Sequence, residues 1–222
     1  MANVRGGGQI VLQSLAYVYM LGGALIIGLR RWTPGEVGLN RKGWGLSLAC
    51  GAALLLGRML VTLSVDWQMS GPPVSLLGLA GEVVFYIVFV GLTEELLFRG
   101  VVYHALEIWR GARWAIWGSA IAFALYHVPG QGPLAGFGTL VIGIILAAIR
   151  WRSGGIAGLI IVHAAIDIVA VHMLPNLDVQ QWGRPNIIHP VYLIVGYLLI
   201  IAIPLCLWTI HPRLERQPSR RM

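Results

Sequence analysis

The sequence predicts an all-α fold: a polytopic transmembrane helical bundle of about seven spans, N-terminus outside and C-terminus cytoplasmic. Three observations carry this expectation. Of the 222 residues, 57% are hydrophobic and only 11% charged, with a mean hydropathy of +0.76, whereas a soluble domain carries about 25% charge. Apolar runs of about 20 residues, enough to cross roughly 30 Å of hydrocarbon, follow one another through short loops. Lysine and arginine gather in alternate loops. Such a chain could not cover its surface in water, which excludes a soluble globular enzyme, a disordered chain and a disulfide-stapled secreted domain.

The spans are expected at residues 10–29, 44–65, 76–109, 114–128, 133–149, 155–174 and 188–210. The first is longer than a signal-peptide core and lacks a cleavage pattern, so it reads as a retained span. The second carries Arg58 and Cys50; Cys50 and Cys206 each sit inside an apolar run and read as small hydrophobes. The third is too long for one straight crossing, so tilt, a break near Gly91 or an interfacial portion is expected. The fourth is short and ends at Pro129-Gly130. Gly51-Gly57, Gly136-Gly143 and Gly154-Gly155-Gly158 have the spacing of close helix packing, although membrane helices are rich in glycine in any case. The expected organisation is an N-terminal pair of spans (1–75), a core (76–175), and a last span with a basic tail (176–222).

The net charge of +7 finds its use in this topology. Arg30, Arg31, Arg41, Lys42, Arg110, Arg113, Arg150, Arg152, Arg213, Arg216, Arg220 and Arg221 all fall on one side, against Arg5 and Arg184 on the other. The bias marks a cytoplasmic edge and contact with anionic lipid, and removes nucleic acid as a partner. The expected location is the cell (inner) membrane, multi-pass.

Ionisable residues inside spans are the informative ones, because each is costly there unless paired or hydrated. They are Arg58, Glu82, Glu94, Glu95, Arg99, His104, His127, His163, Asp167 and His172. In Thr93-Glu94-Glu95-Leu96-Leu97-Phe98-Arg99, the two carboxylates point about 100° apart on a helix. Glu95 and Arg99, at i and i+4, are spaced for an ion pair. Glu94 is then left facing the bundle interior, where it could act as a general base. The plainer reading, a structural Glu-Arg pair beside a hydrated Glu, fits the spacing equally well.

Phe123 and His127 share one helix face, as do His163 and Asp167, which could hydrogen-bond to each other along it. Depth joins the three clusters. At a rise of about 1.5 Å per residue, Glu94 lies roughly 24 Å from Arg110, and His127 roughly 21 Å from Arg113. His163 and Asp167 lie roughly 16–23 Å from Arg152 on the same scale. Four polar groups from three helices thus share one slab of the membrane.

A His-Glu-x-x-His zinc-protease helix is absent, although Glu94, His127 and His163 could still hold a divalent metal such as zinc. No serine or cysteine stands in a nucleophilic setting. The chemistry left is a carboxylate and an imidazole activating water, with further polar groups for a developing oxyanion. No cofactor is required on that reading. A proton-coupled transporter using Glu94, Glu95 and Asp167 as a relay is a competing class, although two-halved symmetry and paired broken helices are not visible. A non-catalytic bacteriocin-immunity or scaffold protein is another.

Glu94-Glu95-x-x-x-Arg99, Phe123-x-x-x-His127 and His163-x-x-x-Asp167, in this order within a polytopic chain, resemble the CPBP family. These are the CAAX-protease and bacteriocin-processing (Abi) intramembrane endopeptidases, related to the Ras-converting prenyl-protein protease. The resemblance covers about residues 80–175. It implies that Glu94 activates water with help from His127, that His163 and Asp167 stabilise the tetrahedral intermediate, and that Glu95 and Arg99 orient the glutamate pair. The family often has Asn where Asp167 stands. An ionised Asp is a poor oxyanion donor, so orienting or charging His163 is the alternative role for it. The implied partners are a peptide or membrane-protein substrate and membrane lipids; the isoprenyl group of the substrate does not transfer.

Overall fold

The computed structural model describes residues 7–64, 75–173 and 189–209. The described residues wind into seven continuous helical rods joined by short loops, without a strand. They are α1 (Gly7–Arg31), α2 (Trp44–Leu63), α3 (Leu76–Arg110), α4 (Ala112–Gln131), α5 (Pro133–Ser153), α6 (Ala157–Met173) and α7 (Pro190–Thr209). Among the described residues, four apolar stretches are long enough to cross a membrane: Trp44–Leu63, Leu76–Arg110, Gly136–Ser153 and Pro190–Trp208. Arg5, Arg184 and the tail with Arg213, Arg216, Arg220 and Arg221 lie outside the described residues.

Two expectations about the helices change. The 35-residue α3 is not broken near Gly91. It stays wound and takes up its length with two π-helical stretches, Tyr86–Gly91 and Glu95–Val102. A π turn adds a residue per turn without giving up the backbone ladder, and such turns favour functional sites. Its start is capped by Ser75, whose hydroxyl accepts from the Gly78 amide. Nor does α4 stop at Pro129. It runs to Gln131, since a proline this close to the C-terminus removes little of the ladder. Gly132, at φ +83, then turns the chain, and Pro133 opens α5 at a position where its missing amide costs nothing.

Lipid tails are as apolar as leucine, so membrane helices associate chiefly through close packing. The glycines serve that purpose. A Cβ on Gly57 would meet the Gly196 carbonyl oxygen at 2.8 Å, joining α2 to α7. One on Gly158 would meet Ser47 at 2.6 Å, and one on Gly51 would run into Val162, so α2 and α6 lie in contact. One on Gly91 would stand 2.6 Å from the Ile160 carbonyl oxygen, which binds α3 to α6. Leu96, Leu146, Ile149, Leu159 and Val162 fill the space between these helices.

Loop contacts tie the basic loops together at one end. The Ile156 amide donates to Gly38 O, and the Asn40 side chain to Gly154 O. Arg150 donates to Glu36 O and to Arg99 O, and Trp32 packs edge-on against His104. At the other end the His189 amide donates to Ser64 O.

Candidate active site

Helix α3 supplies the centre. Thr93, Glu94, Glu95 and Arg99 are each 0–1% exposed, a depth at which ionisable groups need partners. Arg99 Nη1 donates to Glu95 Oε1 at 2.9 Å, the ion pair expected from the i, i+4 spacing. Its Nη2 donates to Gly143 O at 3.4 Å, and its guanidinium lies 4.1 Å from the centre of the Phe123 ring. Arg99 is thus held by a charge, a carbonyl and an aromatic face.

Phe123 organises α4 and α6 around that cation. Its ring lies 5.2 Å from Phe98, 4.5 Å from His127 and 5.6 Å from His163, between centroids. The Phe123 carbonyl accepts from His127 Nδ1 at 2.8 Å. A carbonyl only accepts, so the proton sits on Nδ1, and His127 Nε2 faces Glu94 Oε2 at 3.6 Å.

His163 is the junction of the site. Its Nδ1 donates to Glu95 Oε1 at 2.6 Å. Its Nε2 faces Glu94 Oε2 at 3.6 Å and Asp167 Oδ2 at 3.7 Å. His163 and Asp167, whose spacing allows a hydrogen bond, stand at the wider ion-pair separation of 3.7 Å, and the hydrogen bond of His163 goes from its other nitrogen to Glu95, a residue 68 positions away. Glu95 does more than orient its neighbour: it bridges Arg99 and His163.

Glu94, Glu95, Arg99, His127, His163 and Asp167 all come together. Glu82 and His104 do not join them; His104 packs on Trp32 and lies 3.8 Å from Glu107. The side chain of His172 lies outside the described residues. Sequence reasoning missed Tyr17 on α1, which is buried and donates to Glu94 Oε1 at 3.2 Å. A signal for it existed: Tyr17 stands 14 residues before Arg31, roughly 21 Å and so in the same slab.

Glu94 Oε1 is occupied by Tyr17, whereas Oε2 is buried without a hydrogen bond among the described residues and is approached by two imidazole Nε2 atoms. Separations just beyond direct hydrogen bonding suit a small bridging molecule with donors and acceptors of its own. Glu94, His127 and His163 have the donor types of a His₂Glu zinc site. The arrangement is a different one, since among the described residues no three His, Cys, Asp or Glu groups are placed to hold a metal ion. His163 also turns both ring nitrogens toward carboxylates, the setting of a hydrogen-bond donor.

Residues 76–169, from the start of α3 to the turn after Asp167, match the family model described as Type II CAAX prenyl endopeptidase Rce1-like. This supports the CPBP/CAAX-protease resemblance of the three motifs, and with it a peptidase held in a membrane. No curated protein and no solved structure matches the chain.

Proposed function

We propose, from the CAAX-protease segment at residues 76–169, that the chain is an intramembrane endopeptidase that hydrolyses a peptide bond with glutamate- and histidine-activated water. The catalytic core is taken as residues 76–175, and the substrate as a peptide or a segment of a membrane protein. What supports the reading is one arrangement: Glu94 Oε2, His127 Nε2 and His163 Nε2 converge inside the bundle, 3.6 Å apart along each glutamate–histidine edge.

In this mechanism a water bridges Glu94 Oε2 and His127 Nε2. Glu94 accepts its proton as the oxygen attacks the scissile carbonyl carbon, and His127 steadies the remaining hydrogen. Tyr17 fixes the far carboxylate oxygen, so Oε2 stays turned to the water. The oxyanion forms against His163 Nε2, whose ring is held by Glu95 through Nδ1. Collapse breaks the C–N bond, and the proton held by Glu94 passes to the leaving amine. The products are a carboxylic acid and an amine, which pass to carboxylate and ammonium by proton transfer between them, with one water consumed. No metal is required.

The test is cleavage of a reporter peptide by protein reconstituted in liposomes. Glu94→Gln and His127→Ala should each abolish cleavage while leaving membrane insertion intact. Full cleavage by both variants would refute the mechanism. Uptake driven by a pH gradient without proteolysis would identify a transporter, and immunity that survives Glu94→Gln would identify a scaffold.

A further inference from the structure

Arg58 is the one charged residue of α2, and the chemistry above gives it nothing to do. It is half-buried, and its Nε is shut off from solvent without a hydrogen bond among the described residues. An arginine so placed in an apolar helix needs a counter-charge. The packing of α2 on α6 says which one. Ser47 meets Gly158 and Gly51 meets Val162, so the two helices run in the same direction with a constant offset, and Asp167 stands level with Leu56. Arg58 is two residues further along, roughly 3 Å of rise. Helical side chains lean toward their helix N-terminus, which brings the guanidinium back to the level of the Asp167 carboxylate. The two side chains are not in direct ion-pair contact here, and opposite charges at this level attract across the low-dielectric space between α2 and α6.

The charge balance of the site makes the same assignment. Glu94, Glu95 and Asp167 bring three carboxylates into one low-dielectric space. Arg99 is committed to Glu95, and His163 serves as a donor between the remaining two. One negative charge is left over, and Arg58 is the cation on the adjoining helix. We infer that Arg58 is a positioning residue of the active site: the counter-ion of Asp167, which turns that carboxylate toward α2 and leaves His163 Nε2 free to receive the oxyanion. The inference rests on the peptidase reading for its activity readout, and its stability readout stands without it.

The experiment is a double-mutant cycle on the full chain in liposomes and in detergent. Arg58→Leu should slow reporter cleavage at least about tenfold and lower the unfolding temperature, the coupling expected of charges that share one network. Arg58→Lys should keep most of both. The double variant Arg58→Leu, Asp167→Asn should recover activity and stability above Arg58→Leu alone, because it removes the uncompensated carboxylate with the cation. Additive losses in the double variant, or wild-type behaviour of Arg58→Leu, would overturn the assignment. If the wild type cleaves no reporter, the peptidase reading fails, and the stability cycle alone still decides the Arg58–Asp167 pairing.

Discussion

Arg99→Ala is the perturbation whose cost the geometry defines best. The guanidinium is fully buried and makes a 2.9 Å contact with a fully buried carboxylate, so its loss strands Glu95 as a charge held only by His163. Removing one partner of a buried ion pair costs about 3–5 kcal/mol. The lower end applies here, because an unfolded state within the membrane finds substitute partners. The contact with the Phe123 ring, at 4.1 Å, is lost with it. About 3 kcal/mol in a chain of this size corresponds to roughly 6–12 °C in unfolding temperature. Thermal unfolding in detergent, followed by tryptophan fluorescence, measures it. Glu95→Gln combined with Arg99→Ala should regain part of the loss, since the stranded charge is gone. An Arg99→Ala protein that unfolds within about 2 °C of wild type would refute the claim that this cation holds the site together.

Other consequences are more local. Tyr17→Phe removes the donor to Glu94 Oε1; a hydrogen bond to a charged group is worth about 1.5–3 kcal/mol, so kcat should fall at least about tenfold with little change in KM. An unchanged kcat would show that Tyr17 only packs. Gly91→Val places atoms where a Cβ alone stands 2.6 Å from the Ile160 carbonyl oxygen. It should push α3 from α6, widen the Glu94–His163 gap, and cost about 1–3 kcal/mol from overpacking. Cleavage assays and unfolding temperatures should fall together, and full activity would show that this contact does not set the gap.

The sequence and the structure agree most where local spacing decides. The i, i+4 pair Glu95–Arg99 and the shared faces of His127 with Phe123 follow from helical periodicity, and the common depth of the motifs follows from rise per residue. What was illegible depends on which helix faces which. Glu95 reaches His163 across 68 residues, and no spacing rule links them. Tyr17 lies on a helix that precedes the motifs, and only packing turns it toward Glu94. The π turns of α3 escaped for a different reason: an i→i+5 ladder has no residue signature of its own, so only excess length hinted at it. Pro129 was misleading because proline marks a helix end only when the backbone beyond it lacks other support.

The central claim is that Glu94 activates water without a metal. Its most direct measurement is the initial rate of reporter cleavage in chelator-washed proteoliposomes, wild type beside Glu94→Gln, with the metal content of each sample determined. An undiminished wild-type rate with no stoichiometric metal is expected, and no cleavage by Glu94→Gln. One zinc per chain with a rate lost on chelation, or a Glu94→Gln rate close to wild type, would contradict it.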